Sequence, residues 1–152
     1  MNRRREDGFS LVEVIIALAL LAGVLISMIG LFLLGGQQVK SGRTASEALA
    51  VAQSILEEMQ GWGFHQTHLG YGLDGSATFY TIDTLNNSTA SQWQPLLDSK
   101  LLNSYATIEI ISVGPTNPAP SLATTRSIRL IVTVHWDEGV RARSIQLGAV
   151  RM

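Results

Sequence analysis

The chain has 152 residues, a net charge of −1 and no cysteine. That length suits one small domain with a modest core, and the lack of cysteine rules out disulfides and thiolate metal sites. No basic excess exists to hold a phosphate backbone, so nucleic acid is not an expected partner.

Residues 14–34, 21 in all, carry no charged side chain, whereas the rest of the chain is rich in Ser, Thr, Asn and Gly. Such segregation predicts a membrane segment joined to a water-facing domain. At about 1.5 Å per residue the run is long enough, as helix, to cross roughly 30 Å of hydrocarbon. It is too long for a secretory signal and lacks an A-x-A-like end. Arg3, Arg4 and Arg5 precede it, while Lys40 and Arg43 beyond it are fewer. The positive-inside rule then places the N-terminus in the cytoplasm, with one span of the inner membrane and the domain outside.

Two residues at the mouth of the run go beyond a plain anchor. Gly8, between the charged opening and Phe9, offers a protease little obstruction. Glu13 puts a carboxylate at the membrane edge, which is costly unless it snorkels or finds a partner. A cut after Gly8 would create an amine on Phe9, four residues before Glu13. That positive charge opposes the helix dipole, and Glu13 of the same or a neighbouring chain would offset it. The cut also removes three Arg and two acids, leaving −2.

The string Gly8-Phe9-Ser10-Leu11-Val12-Glu13, followed by Val14-Ile15-Ile16-Ala17-Leu18, resembles the leader and N-methylation motif of type IV pilins and type II secretion pseudopilins. The resemblance is close over roughly the first 35 residues. It implies cleavage between Gly8 and Phe9 by prepilin peptidase, methylation of the Phe9 amine, and a role for Glu13 in subunit assembly. Other pilins or pseudopilins would then be partners through the N-terminal helix. The expected organisation is a leader over 1–8, a transmembrane and assembly helix over 9–36, and a globular domain over 37–152.

Within the apolar run, Ala19, Gly23 and Ser27 recur every four residues, a small-residue stripe suited to close helix packing in lipid. Ala22 and Gly30 widen it. The run has no proline, so local melting of the helix would fall on Gly23, Gly30 or the Gly35-Gly36 pair, which reads as an interruption. Farther on, Ala45, Ala48, Leu49, Ala52, Ile55, Leu56 and Met59 follow helical spacing, and Gly61 and Gly63 stop the helix.

Residues 61–104 read as surface-wandering chain with a strand near 77–83 and a short helix starting near Pro95. Residues 105–113 read as a strand and 114–120 as a loop with three prolines. Ile128, Leu130, Val132, Val134 and Trp136 alternate as a half-buried strand. Asp137-Glu138-Gly139 suits a three-residue hairpin loop, which would pair Trp136 with Val140, Val134 with Ala142, Val132 with Ser144 and Leu130 with Gln146. The other face would then set His135 by Arg141, Thr133 by Arg143, Ile131 by Ile145 and Arg129 by Leu147. This ending is similar to that of PilV-like minor pilins and minor pseudopilins, and the absence of a C-terminal cysteine pair points the same way.

No catalytic constellation or cofactor motif emerges, and no metal site is expected. His65 and His68 lack a third ligand, Asp74 fits turn chemistry better than calcium, and His135 beside Trp136 and Asp137 forms no triad, because adjacent strand residues point to opposite faces. Arg126, Arg129, Arg141 and Arg143 read as solubilising charge. The expected fold is α+β, a pilin fold with a long N-terminal helix on an antiparallel sheet. The expected role is a structural, non-enzymatic minor pilin of a type IV pilus, involved in pilus assembly. A minor pseudopilin of a type II secretion system is the alternative within that family, and an uncleaved single-pass sensor or binding domain is the alternative outside it.

Overall fold

The computed structural model describes residues 10–63, 66–114 and 119–152. Gly8 and Phe9, His65, and Pro115 and Pro118 of the proline-rich loop lie outside the described residues. The elements in order are α1 (Leu11–Gly61), α2 (Gln66–Leu69), β1 (Phe79–Asp83), a 3₁₀ turn (Ala90–Trp93), α3 (Gln94–Lys100), β2 (Tyr105–Val113), β3 (Ser127–Glu138) and β4 (Arg141–Arg151). The chain divides into two compact units, residues 1–40 and 41–152.

In the first unit, residues 11–40 are all helical and, with Ser10, all exposed. The expected interruption at Gly35-Gly36 is corrected: α1 runs through both glycines, and through Gly23 and Gly30. A glycine costs a helix about 1 kcal/mol relative to alanine. It removes no hydrogen bond, so the Leu-rich turns on either side carry the helix across.

The second unit is a four-stranded antiparallel sheet, ordered β1-β2-β3-β4, with residues 41–61 of α1 packed into its core. Ala48, Val51, Ala52, Ile55, Leu56 and Met59 are buried on the helix. They share one cluster with Ala106, Ile108 and Ile110 of β2 and with Ile128, Leu130, Val132, Val134 and Trp136 of β3. Val51 joins this stripe, and Leu49 is only half-buried. At about 100° per residue, Val51 falls closer to the centre of the Ala48–Ala52–Ile55–Met59 face than Leu49 does. Ala48 and Ala52, both fully buried, keep the helix backbone near the sheet.

Strand β2 occupies the expected residues and alternates half-buried and buried side chains throughout. β1 covers only Phe79–Asp83 of the expected 77–83. Helix α3 begins at Gln94 with Pro95 in its first turn, after the 3₁₀ turn has already started at Ala90.

The hairpin register differs from expectation. The turn has two residues, Gly139 and Val140, and the pairs are Glu138 with Arg141, Trp136 with Arg143, Val134 with Ile145, Val132 with Leu147 and Leu130 with Ala149. On the opposite face His135 meets Ser144, Thr133 meets Gln146, Ile131 meets Gly148 and Arg129 meets Val150. The partners are displaced by three places, an odd number, so the two faces of β4 exchange. Gly139, at φ +67°, starts the loop rather than ending it, and a two-residue turn with a leading glycine matches the twist of the strands. The exchange turns Ile145, Leu147 and Ala149 toward the core cluster.

Two side chains tie α1 to the hairpin at opposite ends. Glu138 Oε2 accepts from Ser41 Oγ at 3.1 Å and from Arg143 Nε at 3.1 Å. Arg151 Nη1 donates to the Met59 carbonyl at 3.2 Å and to Thr67 Oγ1 at 3.5 Å. The last turn of α1 holds no basic residue of its own, so Arg151 brings the cation that its terminal carbonyls favour. Ser41 to Met59 rises about 27 Å as helix, and Arg143 to Arg151 spans about 27 Å as strand. Helix and strand therefore run side by side in the same direction.

Removing the Arg151 contact by Arg151→Met should destabilise the domain by about 1–2 kcal/mol. Ala52→Leu should cost about 1–3 kcal/mol by overpacking. Urea unfolding of the detergent-solubilised chain, followed by tryptophan emission, measures both, and midpoints unchanged from the parent would refute these roles.

Candidate functional site

The first unit is the most distinctive surface of the molecule. Ser10 starts α1: the Val12 N–H donates to Ser10 Oγ at 3.3 Å, and the Val14 N–H to the Ser10 carbonyl at 3.1 Å. This is an N-cap, and it puts Glu13 in the first turn, where a carboxylate favours the helix dipole. The spacing Ser10-x-x-Glu13 is a capping-box pattern visible in the sequence, so the residue types that begin the helix also set Glu13 at its mouth.

Ala19, Gly23 and Ser27 lie along one face of α1, being four residues apart on a helix. Ser27 Oγ donates to the Gly23 carbonyl at 2.9 Å. That bond satisfies the hydroxyl within its own helix, as a lipid setting requires. A Cβ added at Gly23 or Gly30 would meet nothing within 4 Å, so these gaps are open on the outside. Among the described residues, α1 is the one helix long and apolar enough to cross a membrane.

Several polar residues of the second unit serve its folding. Asp74 accepts from the Ser76 N–H at 2.9 Å, from Ser76 Oγ, and from the Tyr80 hydroxyl. The Tyr80 bond foremost, and those from Ser76, hold its carboxyl down to about 2. Asp83 accepts from the Leu85 and Asn86 N–H groups at 2.9 and 2.8 Å and from the Asn86 side chain. These bonds, the Asn86 amide first, lower its carboxyl as well. Both aspartates therefore act as turn residues. His68 is buried beneath Gly75, where an added Cβ would come within 2.6 Å of His68 Nε2. His135 stacks on Tyr105, with ring centroids 4.6 Å apart. Among the described residues no three His, Asp or Glu side chains are grouped to hold a metal ion. Arg126, Arg129, Arg141 and Arg143 are exposed but do not share a face: Arg129 lies opposite Val150, and Arg143 opposite Trp136.

One cluster has no local signal in the sequence. Trp62, Tyr71 and Trp93 pack together where α1 ends, with ring centroids 5.3–6.4 Å apart. Glu58 accepts from Trp93 Nε1 at 2.7 Å and from Gln92 Nε2 at 3.3 Å. Burial, and then the charge of Glu58, push the Tyr71 phenol up, so it stays neutral. The cluster fastens the 3₁₀ turn to the end of α1.

A family model described as the prokaryotic N-terminal methylation motif matches residues 3–35. No curated protein and no solved structure matches the chain. The chain thus combines a methylation motif typical of pilins and pseudopilins, a single apolar helix of membrane-spanning length, and an α+β architecture that matches the pilin fold.

Whatever the Asp74 carboxylate adds to stability is complete above about pH 4 and lost as pH falls through about 2, because its folded value is depressed. Carboxyl-carbon NMR of the labelled chain should show Asp74 titrating near 2. Tyr80→Phe should return it toward the ordinary range, and an unmoved midpoint would contradict the assigned cause.

Proposed function

We propose that this chain is a minor pilin, a structural subunit that takes part in assembly of a type IV pilus. Residues 1–8 serve as the leader, 9–36 as the membrane and assembly helix, and 37–152 as the periplasmic domain. Prepilin peptidase cuts between Gly8 and Phe9, and the Phe9 amine is methylated. The observation that carries this reading is the N-terminal surface: a methylation motif on a helix whose residues 10–40 are all exposed. Water cannot satisfy that surface, and the fold offers it no cover. In the membrane lipid covers it, and in a filament the same helices from neighbouring subunits do, without a change of side chains.

The electrostatics fit the same sequence of events. Cutting after Gly8 creates a positive charge at the start of α1, and Glu13 lies within one turn of it. Pairing Glu13 with the Phe9 amine of a neighbour removes two costly charges from an apolar setting at once and fixes the axial step between subunits. Ala19, Gly23 and Ser27 let those helices approach closely. The three arginines of the leader keep the N-terminus in the cytoplasm until the cut.

Mass spectrometry of the membrane-extracted protein should show a chain beginning at Phe9 with one added methyl group, and an intact Met1 terminus in cells with active peptidase would refute the reading. Glu13→Ala should leave membrane insertion unchanged and lower recovery of the protein in sheared filaments at least tenfold. Normal pili together with a secretion defect on deletion would assign the subunit to a type II secretion pseudopilus instead.

A further inference from the structure

The β3–β4 turn lies at the end of the second unit where that unit begins on α1, because Glu138, one residue before the turn, is bonded to Ser41. Ser41 is only seven positions beyond Leu34, the end of the long apolar run. That is at most about 25 Å of fully extended chain, and about 10 Å as helix. The turn is therefore confined to the neighbourhood of the membrane surface whenever residues 14–34 span the bilayer.

Its composition is unusual for a turn facing only water. Val140 is fully exposed at a position where polar residues are the common choice. The α3–β2 connection is fastened beside it. The Asp137 N–H donates to the Leu102 carbonyl at 2.9 Å, and Asn103 Nδ2 to Asp137 Oδ2 at 3.1 Å. Asn103 holds φ +47° to make that bend, which leaves Leu102 largely exposed. Lys100 and Arg141, both exposed, flank the two apolar residues. The acids of the same end are engaged: Asp137 with Asn103, and Glu138 with Ser41 and Arg143. Apolar tips with cations beside them, held on a rigid turn, are what an interface of acyl chains and anionic headgroups accepts.

We propose that the Val140–Leu102 end of the domain, with Lys100 and Arg141, docks on the anionic lipid surface of the membrane while the subunit awaits assembly. The proposal rests on the reading of α1 as a membrane span. Val140 and Leu102 reach the acyl boundary, and Arg141 and Lys100 contact lipid phosphates. Docking restricts how the domain faces the membrane, so the subunit enters a filament already aligned. Extraction into the filament breaks the contact.

The chain contains no cysteine, so single labels are unambiguous, and Val140, being fully exposed, can be replaced without disturbing the core. The full chain carrying Val140→Cys with an environment-sensitive nitrobenzoxadiazole label is reconstituted into phosphatidylcholine vesicles containing one-third phosphatidylglycerol. Ala123→Cys, exposed beyond the opposite end of the sheet, and Leu25→Cys, within the apolar run, carry the same label. The expected result is blue-shifted emission at 140, quenched by lipids brominated near the headgroup, and aqueous emission at 123. Adding Arg141→Gln should lower the docked fraction at 140 about fivefold on these vesicles, with little effect on phosphatidylcholine alone. Emission at 140 matching that at 123, while Leu25→Cys is quenched by deeply brominated lipids, overturns the docking proposal alone. Aqueous emission at position 25 overturns the membrane reading and the proposal with it.

Discussion

The domain depends on how closely residues 48–59 of α1 approach β2 and β3. Ala48 and Ala52 contribute little apolar area themselves. Their small size lets Val51, Ile55 and Met59 enter the same cluster as Ile108, Leu130 and Val132. Larger residues at 48 and 52 would lift the helix and open a gap along the sheet. Three other connections in the second unit reach the same helix. The 3₁₀ turn is fastened to Glu58, the hairpin to Ser41, and β4 to the carbonyl of Met59.

The same helix shows the opposite logic in its first half. Residues 48–59 bury one stripe, whereas residues 10–40 bury none. No element of the sheet can cover an all-round apolar helix, since a sheet offers one face to one stripe. The first half must be covered by something that surrounds it, either lipid or other helices. On the proposed reading, this asymmetry within one continuous element makes membrane residence and assembly two uses of a single surface.

Much of this was legible in the sequence because it is periodic and local. β2 and β3 show strict alternation, and the motif around Glu13 is contiguous. The end of α1 carries Gly61, a recognisable helix boundary. What failed was either marginal or non-local. Gly35-Gly36 reads as a break, yet two glycines weaken a helix without removing a hydrogen bond. Val51 and Leu49 lie on opposite flanks of one stripe, and only the sheet selects between them. The hairpin register turned on whether Gly139 begins or ends the loop, a choice that acidic-Gly sequences leave open. The Glu58–Trp93 and Arg151–Met59 contacts join residues 35 and 92 positions apart, which no local pattern reports.

The position of Gly139 also governs something at the far end of the sheet. Beyond the turn, β4 counts 11 residues from Arg141 to Arg151, and the last of them reaches the closing carbonyl of α1. One residue more or less in the turn would reverse every side chain of β4, sending Arg151 to the outer face and Ile145 and Leu147 into water. The hairpin therefore works as a ruler. Its zero is set at a two-residue turn, and its reading is taken where the helix stops, so helix length and strand length cannot drift apart independently.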